Sequence, residues 1–173
     1  HIGGICGYSE NGMIQNCYNT GIVGNNNYNN VGGICGESAG DKILFCYNTG
    51  VVSGRGMVSG ICGLSSSTIQ KCYNTGEVSG NNRVSGICGY NDSSGTIQNC
   101  YNTGNISGNS NTGGICGYNI GIVQFCYNAS KLIGSNTIGG ICGYNATSKK
   151  FSNCYFDILL YNGEAIGSSD KLS

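Results

Sequence analysis

Proline is absent, histidine occurs once, at His1, and only 9% of the 173 residues are charged. Each scarcity closes off a class of function. The eight basic and eight acidic residues cancel, so the chain offers no basic face to nucleic acid and no polybasic segment to an anionic membrane. No apolar run approaches the roughly 18 to 20 residues of a membrane span, and no membrane insertion is expected. A lone histidine cannot furnish a triad or a histidine-bearing metal centre, and neither His-Glu-x-x-His nor Cys-x-x-Cys occurs. The glycine-rich stretches lack the Lys-Ser/Thr of a phosphate loop. Asp41, Asp92, Asp157 and Asp170 are scattered over expected loops and the terminus; they match neither an EF-hand loop nor the nonapeptide of calcium β-rolls. Nor do acidic residues recur at equivalent positions, as a carboxylate pair for glycoside cleavage across adjacent units requires. No catalytic residue, metal site or cofactor is expected, and the chain is not expected to be an enzyme.

What the sequence has is repetition. Gly86-Ile87-Cys88-Gly89-Tyr90 is followed by Cys100-Tyr101-Asn102-Thr103-Gly104, and this pair of motifs occurs six times. The first half begins at Gly4, Gly33, Gly60, Gly86, Gly114 and Gly140, and the second at Cys17, Cys46, Cys72, Cys100, Cys126 and Cys154. The first cysteines advance by 29, 27, 26, 28 and 26 residues. A period of this size marks a solenoid, propeller or array. The units fall at about 1–29, 30–56, 57–83, 84–111, 112–137 and 138–163, with a tail over 164–173.

Along the chain, Ile43-Leu44-Phe45-Cys46 leads into Tyr47-Asn48-Thr49-Gly50-Val51-Val52, β-branched and without a 3.6-residue period; this predicts strand. Asn25 to Asn30 reads as a loop between coils, and Ser65-Ser66-Ser67 and Asn91 to Gly95 as surface turns. The sixth unit ends in Cys154-Tyr155-Phe156-Asp157-Ile158-Leu159-Leu160-Tyr161. Bulky apolar residues there suit a terminal cap, since a last coil has no neighbour to cover its core. There is no signal peptide or initiator Met, and His1 stands directly before a motif; the expectation is a processed or excised part of a longer product. Asn91, Asn105, Asn128 and Asn145 head Asn-x-Ser/Thr sequons, which matter only in a glycosylating host.

Two of the twelve cysteines fall in every unit. Structural disulfides persist in secreted and surface proteins and are rare in reducing cytosol, so this usage predicts disulfides and an extracellular or cell-surface location. Free buried thiols are the other reading.

At these motifs the chain resembles the GLUG repeats of bacterial surface proteins, including repeat regions attached to some IgA-cleaving metallopeptidases. The family's Gly-Leu-apolar-Gly tetrapeptide corresponds to Gly-Ile-Cys-Gly here. Its Asn-Cys-Tyr-Ala-Thr-Gly-Asn-Val-Ser-Gly stretch is similar to Asn99 to Gly108, and its Cys-Tyr-Trp-Asp ending is similar to Cys154-Tyr155-Phe156-Asp157. The resemblance implies an all-β parallel β-solenoid on a large extracellular protein. It does not carry the peptidase over, because the metal motif is missing. A position usually apolar in the family is cysteine in all six units, which implies that it points inward.

The resulting expectation is six coils of about 26–29 residues stacked about 4.8 Å apart, a rod on the order of 30 Å long. Ile61, Ile69 and Val78 represent its thin core, and the Tyr and Asn after each second cysteine stack into ladders. Gly86 and Gly89 serve a tight corner through close approach and positive φ. One disulfide per coil would staple it: Cys6–Cys17, Cys35–Cys46, Cys62–Cys72, Cys88–Cys100, Cys116–Cys126 and Cys142–Cys154. A shifted scheme beginning Cys17–Cys35 is the rival. Two functions follow. One is a stiff stalk or head-to-tail fibre at a cell surface, associating end to end. The other is an adhesin-type module gripping glycan or host protein through Tyr, Asn and Thr ladders. An ice-binding Thr face is a third reading, weakened because Ala129 and Asp157 break the row Thr20, Thr49, Thr75, Thr103.

Overall fold

The computed structural model describes residues 1–146 and 151–169. Asp170 and the end of the tail lie outside the described residues, as does Thr147 of the Asn145 sequon. The described residues form a parallel β-solenoid of about six coils with no helix.

One coil shows the path. Asn82–Ser85 lies in a first sheet, Cys88–Asn91 and Thr96–Gln98 in a second, Tyr101–Asn102 in a third and Ile106–Ser107 in a fourth. Each segment pairs in parallel with its counterparts one coil away. Cys88 sits between Cys62 and Cys116, Tyr101 between Tyr73 and Tyr127, and Ile106 between Val78 and Leu132. Equivalent residues are therefore nearest neighbours, separated by the rung spacing of about 4.8 Å.

Two apolar columns fill the interior. One combines Ile34, Ile61, Ile87, Ile115 and Ile141, the series Ile14, Ile43, Ile69, Ile97 and Val123, and the cysteines. The other stacks Val52, Val78, Ile106 and Leu132 against Val31, Val58 and Val84. Ile61, Ile69 and Val78 are fully buried, as their place in the repeat predicts.

Corners depart from expectation. The residue before each second cysteine (Asn16, Phe45, Lys71, Asn99, Phe125 and Asn153) adopts the left-handed conformation, with φ between 49° and 55°. Gly86 and Gly89 are not among the positive-φ residues; their role is close approach. A Cβ on Gly89 would lie 2.7 Å from the Gly63 carbonyl oxygen of the preceding coil.

Two segments read as loops are strands. Ser65-Ser66-Ser67 lies within the unbroken strand Cys62–Gln70, and Asn29 and Asn30 open the strand Asn29–Gly32. Polar composition misleads at the serines because adjacent coils supply their partners. Ser67 Oγ accepts from Ser38 Oγ at 2.8 Å and from the Asp41 amide at 2.9 Å. The extra residue of coil two is absorbed by a bulge there, with Gly40 at φ 71°. Asp92 to Gly95 does form a turn, closed by Gly95 N–H donating to Asp92 C=O at 2.8 Å.

At the far end Phe156 packs against the first column, and the ring of Tyr161 lies 6.2 Å from it while its hydroxyl donates to Ile138 C=O at 2.7 Å. Only these two residues of the apolar stretch act as a cap, since Ile158, Leu159 and Leu160 are exposed. The tail continues the array: Ile166–Ser169 pairs in parallel with Cys142–Asn145, setting Ile166 on Cys142.

Candidate functional site

The expected disulfides are not found; all twelve cysteines are free thiols, and neither the within-coil pairs nor Cys17–Cys35 is formed. The geometry explains the correction. Cys6, Cys35, Cys62, Cys88, Cys116 and Cys142 stack in register at the start of the second-sheet strands. Cys17, Cys46, Cys72, Cys100, Cys126 and Cys154 form a separate column leading into the third sheet, where each following Tyr amide donates to the cysteine carbonyl one coil back, as Tyr101 does to Cys72 at 3.2 Å. Each cysteine is thus flanked by its own equivalents.

The thiols are also engaged locally. In the first column they donate to the carbonyl two residues onward, as Cys88 does to Tyr90 at 3.2 Å; in the second to the carbonyl two residues back, as Cys100 does to Gln98 at 3.2 Å. Burial pushes the Cys62, Cys88, Cys100 and Cys142 thiols well above their ordinary range, because a thiolate has no water to stabilise it. These cysteines behave as small hydrophobes.

Both expected ladders are present. Tyr18, Tyr47, Tyr73 and Tyr101 stack nearly parallel at 5.2, 4.9 and 4.9 Å. Tyr18 and Tyr101 are exposed and Tyr47 and Tyr73 half-buried, with their faces turned to one another, and the Thr row beside them is exposed. The Asn ladder lies inside. From Asn19 each Nδ2 donates to the next Oδ1, through Asn48, Asn74 and Asn102 to Asn128, at 2.7, 2.8, 2.8 and 2.9 Å. Asn48, Asn74, Asn102 and Asn128 are buried, so these amides hold the fold and are not available to a ligand. A second run, Asn91–Asn119–Asn145, repeats the device at 2.7 and 2.9 Å.

Asp41, Asp92, Asp157 and Glu37 have structural partners. Asp41, expected on a loop, is buried within the strand Cys35–Leu44, accepting from Ser38 Oγ at 3.1 Å and from the Gly12 amide. Asp92 and Asp157 accept from nearby turn amides at 2.7 and 2.9 Å. Glu37 meets His1 at 2.8 Å and Asn30 at 2.8 Å. Among the described residues no group of three or more His, Cys, Asp or Glu is placed to hold a metal ion.

The surface feature that sequence reasoning missed lies at the left-handed corners. Phe125, with Tyr127, Asn153 and Tyr155, lines an open and mainly apolar groove of about 400 Å³. Asn in three of the six corner positions was the available signal, since Asn tolerates that conformation.

Comparison with known proteins follows this geometry. Residues 1–24 match the family model described as the GLUG motif, and the GLUG-repeat reading of the sequence stands. The crystal structure of a candidate immunoglobulin A1 protease from Bacteroides ovatus superposes with a TM-score of 0.59 at 26% identity, over 83% of this chain and 57% of that one. The chain therefore spans little more than half the length of that neighbour. None of the curated proteins matches it.

Proposed function

We propose that this chain is a structural repeat module of a cell-surface protein, a stiff spacer that carries no catalytic site of its own. The observation that carries this reading is the continuity of the interior. The Asn ladder from Asn19 to Asn128 and the thiol column from Cys6 to Cys142 each run through successive coils in one register. A rod whose rungs share hydrogen bonds along its axis resists bending between coils. The surface location is supported by the GLUG match and by the likeness to the B. ovatus protein. Buried thiols are compatible with such a place because oxidation follows exposure, and nine of the twelve are buried. In the parent protein, replacing the module by an unrelated rigid rod of equal length should preserve function, and a flexible linker should not. Equal performance of rod and linker would overturn the reading.

We also propose that the first coil docks onto another coil of the same kind, from a longer chain or a second copy. Ile5 is 48% exposed, whereas its equivalents Ile34, Ile61, Ile87 and Ile115 are fully buried. An uncovered parallel edge with apolar side chains is a template for addition. Residues 1–173 should elongate with concentration, and Ile5→Lys should stop this without unfolding the rod. A wild-type monomer at all concentrations, with the first coil protected from hydrogen exchange, would contradict it.

A further inference from the structure

The chain contains two arginines, Arg55 and Arg83, and the coil geometry brings both to one place. Gly56 pairs with Asn82 and Val58 with Val84, so Arg55 stands one residue before this ladder and Arg83 opposite Met57. Two adjoining cavities of about 370 and 380 Å³ open here side by side over coils two and three, sharing Arg55 and Asn81. Arg55 and Asn81 line both; Arg83, Asn82 and Asn29 line the first, and Ser79, Ser107 and Asn109 line the second.

Four properties of the groove point to an anionic ligand. It has no acidic residue in its lining. Neither guanidinium makes a hydrogen bond or ion pair with a described residue, and Arg83 Nε is buried without a partner. The Arg83 guanidinium lies 4.9 Å from the ring centroids of both Tyr90 and Tyr118, which are themselves stacked at 5.2 Å. Such a cation is held in place by the rings and is preorganised for an oxyanion. The backbone below is fixed too. Arg55 C=O accepts from the Asn81 and Asn82 amides at 3.0 and 3.1 Å, and Asn109 Nδ2 donates to Asn81 Oδ1 at 2.7 Å.

The remaining chemistry selects the class of anion. Apart from Met57 and the glycines, the lining offers amides and hydroxyls and no large apolar wall, which disfavours lipids and flat hydrophobic cofactors. Two cavities side by side on one face, joined at Arg55 and Asn81, suit neighbouring units of a hydroxyl-rich chain. Nucleic acid would need several phosphate contacts and free aromatic faces, and here Arg83 already covers the nearest two rings.

We propose that the groove between Arg55 and Arg83 binds an anionic saccharide, with a carboxylate or sulfate ester held by the arginines and neighbouring hydroxyls by Asn81, Ser79 and Ser107. This goes beyond the spacer role and does not depend on it.

The test is calorimetric titration of residues 1–173 at low salt with four probes: oligogalacturonate, a sulfated heparin oligosaccharide, a neutral cello-oligosaccharide and a glutamate-rich peptide. Saturable binding is expected for one or both anionic saccharides, with a carboxylate or sulfate source distinguished by which of the two binds. R55Q and R83Q should each weaken that binding at least tenfold. Lys71→Gln, which removes the same charge at a different surface, should leave it unchanged. Because Arg83 packs on Tyr90, circular dichroism must show R83Q folded; the exposed Arg55 provides the independent variant, and R55K should retain part of the affinity. Failure of both anionic saccharides to bind would overturn the proposal. So would equal binding of the neutral oligosaccharide or the acidic peptide, or loss of affinity in Lys71→Gln matching that in R55Q.

Discussion

A Cβ placed on Gly86 would lie 2.2 Å from Cγ of Asn102. The glycine that opens the first motif and the asparagine in the middle of the second are therefore one device: the missing side chain makes room for an amide that bonds the coil before and the coil after. The relation recurs at Gly60 with Asn74 and at Gly114 with Asn128, each also 2.2 Å. In the last coil a Cβ on Gly140 would lie 2.5 Å from the Phe156 ring, where the ladder gives way to the cap.

Gly86→Ala should accordingly destabilise the rod by about 1 to 3 kcal/mol, the range for forcing atoms into a packed interior. Gly21→Ala should change stability by less than about 0.5 kcal/mol, the range for exposed positions, since a Cβ there meets only Asn19 Oδ1 at 3.7 Å. Urea denaturation of both variants checks the contrast, and equal midpoints would count against the device.

Thr112 interrupts an apolar column, standing in register between Val84 and Ile138, fully buried and with Oγ1 lacking a hydrogen-bond partner. Replacing an unpaired buried hydroxyl by a methyl of the same shape removes a desolvation cost of about 1 to 3 kcal/mol. Thr112→Val should raise the urea midpoint without changing the slope, and a fall would show that the hydroxyl has a partner.

The buried thiols set a pH dependence in which hydrogen bonds from neighbouring thiols lower Cys35, Cys72 and Cys126, while desolvation of the four most deeply buried thiols acts the other way and sets the direction. Burial raises the folded-state values of Cys62, Cys88, Cys100 and Cys142, whereas unfolded thiols titrate near 8.5. Below about pH 8.5 both states are protonated and stability is complete; above it the unfolded chain releases protons that the folded chain keeps, so stability falls as pH rises. Denaturation at pH 7 and pH 10 should show this loss. Replacing Cys62, Cys88, Cys100 and Cys142 with Ala should shrink the difference, even though the variant starts less stable.

How far the sequence could be read depended on whether a feature is local or shared between coils. The repeat alone placed Ile61, Ile69 and Val78 in the core and stacked Tyr73 on Tyr101 and Asn74 on Asn102, because in-register parallel coils make equivalent residues neighbours. The same rule, applied to the cysteines, leads to two columns of like residues. The disulfide expectation instead treated Cys88 and Cys100 as partners because they share a coil. Positive φ was assigned to Gly86 and Gly89, where the need is for space, and missed at Phe45 and Lys71, whose side chains do not announce a left-handed corner. The Arg55 and Arg83 groove was illegible for a related reason: 28 residues separate them in sequence, and only the coil period brings them together.

The account makes free, column-stacked thiols and amide ladders, not disulfides, the source of cohesion. Its most direct test is alkylation under denaturing but non-reducing conditions, followed by intact mass. Addition of twelve alkyl groups is predicted, one for each cysteine, with a melting temperature unchanged by reductant. A chain that takes up none until it is reduced, and that melts earlier in reductant, would show that disulfides hold the coils and would contradict the account.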